Sequence, residues 1–222
     1  MLPHHCILCG ALCTGRDLCA GCARDLPWIR DACRRCATPL PALSLDPGEC
    51  GPCLRRPPPQ SATVAAFAYA FPVDRLLLKL KFGNSLPPGR VLGELLAIAV
   101  RSTAPTLECP EAIVPVPLHP KRLRERGYNQ ALELARPVAR ALRIPVLRAC
   151  RRTRNTPPQS TLAGPERRRN LKDAFVAEPQ VAGLHLAVVD DVYTTGNTIA
   201  AVTRALYRAG AASVVAWCVA RA

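Results

Sequence analysis

The chain is poor in aromatic residues, in acidic residues and in long apolar runs. It has only 2 Trp, 4 Tyr and 4 Phe among its 222 residues, so few side chains are available to stack on the bases of single-stranded nucleic acid. No apolar run reaches about 18 residues, the length typical of a membrane span. The N-terminal stretch has neither the basic start nor the apolar core of a secretory signal. We therefore expect a cytoplasmic protein without a membrane span.

Acidic residues number 16 against 30 Lys and Arg, so the net charge is +14. Such an excess of positive charge attracts polyanions, either nucleic acid or phosphorylated metabolites. A high arginine content can also reflect the base composition of the genome, so charge alone does not decide the function. With 49% apolar residues, the chain is long enough for one full core and a small additional unit.

Cysteines are abundant and unevenly placed. Nine of the 12 precede residue 54, and eight of these nine form four C-x-x-C pairs. Each pair directs two thiolates at one point, and two pairs complete a tetrahedral zinc site. Disulfides are disfavoured without a secretory signal, whereas iron–sulfur clusters remain an alternative because they also take four thiolates. The pattern predicts two zinc ions, with the ligands Cys6, Cys9, Cys19, Cys22, Cys33, Cys36, Cys50 and Cys53.

The predicted zinc sites are structural. Four cysteines per ion leave no open coordination position, and the first 60 residues hold so few large apolar side chains that metal ligation must supply folding free energy. Pairing in sequence order would group residues 6, 9, 19 and 22, then residues 33, 36, 50 and 53, although an interleaved pairing also fits. Cys13 is left over as a free thiol.

Three consecutive prolines, Pro57 to Pro59, form a stiff spacer. They predict a boundary between a cysteine-rich domain, residues 1–58, and a second domain, residues 62–222. In the second domain, apolar strands alternate with amphipathic helices, which predicts an α/β fold with a parallel sheet covered by helices on both faces. Strands are predicted at 63–71, 111–119, 144–150, 184–191 and 212–220, and helices at 72–83, 89–102, 128–143 and 197–210. Pro137 should kink or break the third helix.

The most informative stretch follows the fourth of these strands. Two aspartates end the strand, and Thr-Thr-Gly-Asn-Thr leads into the next helix, at the edge of a parallel sheet where ligands bind. Backbone N–H groups at a helix start bind phosphate, and glycine allows close approach. A 5′-phosphate held there would bring its ribose to the aspartates, which accept hydrogen bonds from a diol and favour positive charge at C1. The simpler alternative is a threonine that caps the helix. The predicted ligand-binding residues are Asp190, Asp191, Thr194, Thr195, Gly196, Asn197 and Thr198, and the two aspartates are also the predicted catalytic residues.

This stretch, VVDDVYTTGNT, resembles the phosphoribosyl-pyrophosphate (PRPP) loop of the type I phosphoribosyltransferases. The wider layout is similar to the ComF family of competence-associated proteins, also called GntX-like, which joins a double zinc ribbon to that fold. Other family-like segments are VPVPLHPKRLRERGYNQA, RTRNTPPQSTLAGPERRRNLKDAF and AGAASVVAWCVAR, so the resemblance spans nearly the whole chain in the family's order. The resemblance implies a type I phosphoribosyltransferase-like sheet, with PRPP bound together with Mg²⁺.

The resemblance also implies roles for two basic segments. The segment after the second strand would be a pyrophosphate-facing loop, with Gly127 at a tight turn and Lys121, Arg122 and Arg126 as anion partners. Residues 151–170 would form a loop that closes over PRPP and excludes water. Its family-like residues are Arg152, Arg154, Thr156, Gln159, Arg167 and Asn170. A solvated basic loop and an unstructured basic linker are the respective alternatives.

Two functional hypotheses follow from these patterns together with the family resemblance, which alone implies the links to PRPP and to DNA uptake. In the first, an enzyme linked to DNA uptake or to the use of imported DNA transfers phosphoribose from PRPP to an unidentified nitrogen acceptor. In the second, a non-catalytic adaptor contacts single-stranded DNA and DNA-uptake proteins through its zinc ribbons and basic loops. No motif in the sequence identifies the acceptor.

Overall fold

The computed structural model describes residues 4–41, 48–83, 85–103, 109–154 and 174–222. Four of the residues predicted to close over PRPP, Thr156, Gln159, Arg167 and Asn170, lie outside the described residues. The strands are β1 (His4–His5), β2 (Leu12–Cys13), β3 (Ala62–Ala68), β4 (Ala112–Pro115), β5 (Cys150–Arg152), β6 (Phe175–Ala177), β7 (His185–Tyr193) and β8 (Ser213–Arg221). The helices are α1 (Ala20–Arg24), α2 (Gly51–Arg55), α3 (Val73–Phe82), α4 (Pro87–Thr103), α5 (Pro120–Arg126), α6 (Gln130–Leu142) and α7 (Asn197–Arg208). A 3-10 turn covers Pro179–Val181.

A parallel four-stranded sheet in the order β3-β8-β7-β4 is the centre of the fold. Both faces are covered: α3, α4 and α6 pack on one side, and α7 packs with the β5–β6 hairpin on the other. Residues that alternate along β7 enter the two cores in turn, so its central stretch from Leu186 to Val189 is apolar at every position. The predicted α/β fold with a parallel sheet flanked by helices is confirmed.

The direction of the chain changes between β4 and β7. After β4, α6 leads outward to Val146, which forms a parallel bridge to Ile113 on the outer side of β4. After β7, α7 crosses the other face and leads inward to β8. The loops that follow β4 and β7 therefore diverge to opposite faces at the carboxyl ends of these two strands, and we call this switch point the β4–β7 crevice. Such switch points are where ligands bind in open parallel sheets.

Three local predictions differ from the structure. The segment predicted as a loop after β4 is mostly the helix α5, because His119 caps its start and Gly127 ends it in the left-handed conformation, with φ 81°. The strand predicted at 144–150 is reduced to the Val146 bridge, and pairing resumes at Cys150. The helix α6 continues through Pro137, which is buried against Gly93 of α4. Tertiary packing thus stabilises this helix despite the proline.

The cysteine-rich region packs along the outer edge of β3. The N–H of Ile29 donates to the carbonyl of Ala66 at 2.9 Å, and the N–H of Thr63 donates to the carbonyl of Arg34 at 2.7 Å. The rings of Trp28 and Phe67 meet at a centroid distance of 4.5 Å. An exposed sheet edge would otherwise present unpaired backbone groups to other chains, so this region protects the edge of the sheet.

Candidate functional site

The eight predicted zinc ligands form two separate groups of four. Their sulfur atoms lie within 4.8 Å of one another in each group, Cys6/Cys9/Cys19/Cys22 and Cys33/Cys36/Cys50/Cys53. The pairing therefore follows sequence order, and the interleaved alternative is wrong. We call these groups the first and second cysteine modules. Cys13 belongs to neither of them.

The sulfur geometry fits zinc. The sulfurs of Cys9 and Cys19 are 3.8 Å apart in the first module, and those of Cys36 and Cys50 are 3.6 Å apart in the second. Zn–S bonds of about 2.3 Å in a tetrahedron place neighbouring sulfurs roughly 3.8 Å apart. Four thiolates around each position would complete the coordination of a structural ion.

The two aspartates of β7 lie beside the β4–β7 crevice and are both buried. The strand extends two residues beyond them, to Tyr193, because it pairs with β8 as far as Arg221. On the other side, the ladder with β4 ends at Val189. The aspartates therefore lie where β7 has a neighbouring strand on one side only. The sequence predicted that they end the strand, whereas two further residues of β7 follow them.

The two carboxylates meet different cations. Asp191 forms an ion pair with Lys81 of α3, with 2.8 Å between Oδ2 and Nζ. Asp190 lies within electrostatic reach of Arg152 at the end of β5, and Arg152 in turn feels the charge of Arg122 on α5. Neighbouring strand residues point to opposite faces, which accounts for the different partners. The predicted residues Arg122 and Arg152 thus lie within electrostatic reach of each other.

Burial has a strong effect on Asp190. Burial raises the pKa of this carboxyl and the negative charge of Asp191 adds to the increase, whereas the positive charges of Lys81 and Arg152 oppose it; the resulting pKa is about 7. Burial also lowers the pKa of the Arg152 guanidinium, and the positive charge of Arg122 adds to that decrease. A further cation beside the acids, or an anion beside the arginines, would relieve these unfavourable charges.

The start of α7 has the conformation of an anion site. Gly196 occupies the cap position in the left-handed region, with φ 74°, and a Cβ there would lie 2.2 Å from the hydroxyl of Tyr193. Only glycine fits, and glycine has no side chain with which to cap the helix. The predicted alternative of a threonine cap is wrong. Thr194 and Thr195 are exposed beside the helix start, where N–H groups have no intrahelical acceptor.

The other predicted basic residues are more widely spread. Arg126 donates to Oε1 of Gln130 at 2.6 Å and its guanidinium lies 5.5 Å from the centre of the Phe82 ring. Lys121 and Arg154 are exposed, and Gly127 ends α5. Arg167 lies outside the described residues.

Sequence reasoning missed three contributors. Lys81 follows Leu77 by four residues and therefore lies on the buried side of α3. A lysine on an otherwise apolar helix face indicates a buried acidic partner, so the sequence pattern could have identified it. Tyr193 supports Gly196, and Arg221 contacts the loop after β7. No local pattern identifies Arg221, because its contacts cross from β8 to the end of β7.

A cleft of about 700 Å³ lies away from the aspartates. It is bounded by residues 28–37, by the first half of β3 and by the end of α4. Because ligands of parallel sheets bind at the carboxyl ends of strands, this cleft is not assigned to the phosphoribosyl ligand.

Comparison with known proteins agrees with this architecture. The double zinc ribbon domain family matches residues 1–54, and the phosphoribosyl transferase domain family matches residues 129–222. The DNA utilization protein YhgH of Escherichia coli (strain K12) is 38% identical over 225 residues, which cover 99% of this chain and 98% of that protein. Competence protein F of Haemophilus influenzae is 36% identical over 211 residues, covering 92% of this chain and 90% of that protein. The chain belongs to the ComF family.

The ComF-type combination of a double zinc ribbon and a phosphoribosyltransferase-like domain is thus confirmed. Among solved structures, a glutamine PRPP amidotransferase from B. subtilis, complexed with ADP and GMP, has 17% sequence identity and a TM-score of 0.41. That match covers 64% of this chain and 30% of the amidotransferase. Within the described ranges, no helix combines the length and the apolar character needed to cross a bilayer.

Proposed function

We propose that this ComF-family protein binds PRPP with Mg²⁺ in the crevice between β4 and β7. The observation that carries the proposal is the start of α7, where a left-handed Gly196 opens a 12-residue helix immediately after two buried aspartates. The N–H groups and hydroxyls of residues 194–198 bind the 5′-phosphate. The ribose diol then reaches Asp190 and Asp191. Lys81 forms an ion pair with Asp191 and offsets its negative charge.

The pyrophosphate of the ligand faces the cations on the other side of the crevice. Arg122 and Arg152 lie close enough to influence each other, and their guanidinium groups suit a doubly charged anion. Lys121, Arg126 and Arg154 are further anion partners in this proposal, as is Arg167. The carboxylate oxygens of Asp190 and Asp191 suit Mg²⁺, which prefers oxygen ligands. When bound, Mg²⁺ would offset the negative charge of the pyrophosphate and of the acids.

Transfer of phosphoribose follows from this binding mode. The bond between C1 and the pyrophosphate oxygen breaks, and the electron pair leaves with pyrophosphate. The lone pair of a nitrogen acceptor forms the new bond to C1, and the acceptor's proton passes to solvent. Asp190 and Asp191 stabilise the positive charge that develops on the sugar, so no protein nucleophile takes part. Relatives named for DNA utilization and competence favour a role in the use of imported DNA, in the cytoplasm.

Titration with Mg²⁺–PRPP tests the binding site. Thr195→Ala removes a hydroxyl donor to a charged phosphate, a contact that contributes about 1.5–3 kcal/mol, so we expect an increase in Kd of roughly tenfold or more. Asp191→Asn should also weaken binding, whereas Glu94→Gln on α4 serves as a matched control and should bind like the unaltered protein. Equal affinity for all four proteins would contradict the site. Release of pyrophosphate with a panel of nucleobases and amines tests the transfer itself.

A second candidate function is contact with single-stranded DNA. Phe71 and Phe82, which are 77% and 72% exposed, follow β3 and end α3 respectively, and Arg126 lies over Phe82. Exposed aromatic rings beside cations can stack on bases. An adaptor that only binds single-stranded DNA does not transfer phosphoribose. Binding of DNA without any release of pyrophosphate from PRPP would therefore favour this second function.

A further inference from the structure

Arg221, at the end of β8, connects the second cysteine module to the loop after β7. On one side, Nε donates to the carbonyl of Cys36 and Nη2 donates to the hydroxyl of Thr38, both at 3.1 Å. On the other side, Nη1 donates to the carbonyls of Tyr193 and Thr194, at 3.1 and 2.8 Å. All three guanidinium nitrogens are therefore used between a zinc ligand's backbone and the candidate phosphate loop.

A second connection runs through Gln60 and Tyr193. The Gln60 amide donates to the Tyr193 hydroxyl and to the carbonyl of Arg35, each at 3.2 Å. The Tyr193 ring lies 5.3 Å from the Arg221 guanidinium, and its hydroxyl lies directly under Gly196. The second module thus supports the loop from two directions, whereas the first module reaches the fold elsewhere, through an ion pair between Asp17 and Arg90 of α4.

The contacts of Arg221 determine which way the loop amides point. In a planar trans peptide, the carbonyl of one residue and the N–H of the next point in opposite directions. Because the carbonyls of Tyr193 and Thr194 face Arg221, the N–H groups of Thr194 and Thr195 face away from β8, towards the crevice. An anion site requires such donors to be held within about 0.5 Å of their working positions.

We propose that Arg221 is a positioning residue for phosphate binding, and that the second cysteine module is the fixed support on which it acts. Zinc at Cys33, Cys36, Cys50 and Cys53 keeps the carbonyl of Cys36 and the hydroxyl of Thr38 in place. Arg221 in turn holds the carbonyls of Tyr193 and Thr194 in place through its hydrogen bonds. Loss of this one metal ion therefore disorders the phosphate loop, while loss of the ion in the first module leaves it intact. The inference rests on the proposed function for the identity of its ligand.

The experiment compares Arg221→Met with Arg221→Lys and with Arg90→Met. Arg90 is the matched control, because it connects α4 to the region of the first module through Asp17. Each variant is first checked for two zinc ions per chain. Hydrogen exchange of the amides of residues 193–199 should be at least about tenfold faster in Arg221→Met than in the unaltered protein, since the local opening free energy falls. Arg221→Lys retains the charge but not the planar array of donors, and it should rescue the exchange only partly. Arg90→Met should leave exchange at 193–199 unchanged.

Two further measurements separate the inference from the proposed function. Cys50→Ser should accelerate exchange at residues 193–199, and Cys9→Ser should not. The Kd for Mg²⁺–PRPP should rise at least about tenfold in Arg221→Met, the loss expected when charged hydrogen bonds are misplaced. If the unaltered protein binds no PRPP, the proposed function fails, and the exchange data still decide whether Arg221 orders the loop. Unchanged exchange and unchanged affinity in a zinc-loaded Arg221→Met protein would overturn the inference.

Discussion

At Asp190, burial opposes the negative charge of the carboxylate. This residue places a carboxyl group in a parallel strand, with Asp191 next to it and one pair of neighbouring cations only partly compensating the two charges. A purely structural protein would gain stability from an apolar residue here. A buried acid whose pKa is raised, at the switch point of a sheet, is instead characteristic of a functional site.

The raised pKa of Asp190 predicts how the free energy of unfolding depends on pH. The pKa of Asp190 is about 7 in the folded protein and near its ordinary value of about 4 in the unfolded chain. Between these values the folded protein binds a proton that the unfolded chain has released, so stability falls as pH rises. Asp190→Asn lacks this penalty. Its free energy of unfolding, relative to the unaltered protein, should increase by roughly 2–4 kcal/mol from about pH 4 to about pH 8.

Guanidinium unfolding of both proteins at several pH values measures this difference. Both proteins contain the same cysteines, so the effect of pH on the cysteines is removed when the two free energies are subtracted. A difference that stays constant over the range would show that folding does not raise the pKa of Asp190.

At the scale of elements, the sequence predicted helices and strands well where their pattern was strong. The helices α3, α4, α6 and α7 and the strands β3, β4, β7 and β8 were all predicted, because their apolar residues repeat at the spacing of one secondary structure. The helix α5 was missed because seven mostly charged residues have no apolar periodicity. Its formation depends on the caps at His119 and Gly127.

The contact between α4 and α6 depends on the absence of a side chain at Gly93. A Cβ at this position would lie 2.3 Å from Cγ of Pro137 and 2.6 Å from the carbonyl oxygen of Leu134. Gly93→Ala should therefore destabilise the protein by about 1–3 kcal/mol through overpacking, even though alanine favours helix formation. Thermal unfolding measures the effect. Gly21→Ala, where a Cβ meets nothing within 4 Å, is the control, and equal stability of the two variants would contradict the prediction.

At the scale of the molecule, the cysteine-rich region and the sheet are closely packed. The first module contributes Cys6 and Leu18 to the core beneath α4, and the second contributes Cys33 and Cys36 to the core beneath α7. The boundary between domains 1–58 and 62–222 stays a prediction.

The net charge of +14 predicts salt-dependent binding of single-stranded DNA. Contacts to about four phosphates would give a slope of roughly −3 in a plot of log K against log salt. Phe82→Ala should weaken binding about fivefold through the loss of one stacked base. Leu54→Ala, at an exposed apolar residue in α2, should not. Fluorescence anisotropy with a labelled oligothymidylate measures both, and affinity that does not vary with salt would exclude the adaptor function.

The sequence by itself determined the features that depend on short spacing. These are the two cysteine modules, the parallel α/β sheet and the candidate phosphate loop with its two acids, since ligand spacing, apolar periodicity and helix starts are local. Only the tertiary structure decided which partners meet across the sheet: Lys81 with Asp191, Arg122 with Arg152, and Arg221 between Cys36 and the loop. These interactions join residues 27 to 185 positions apart, and their geometry is set by strand order and register rather than by neighbouring residues.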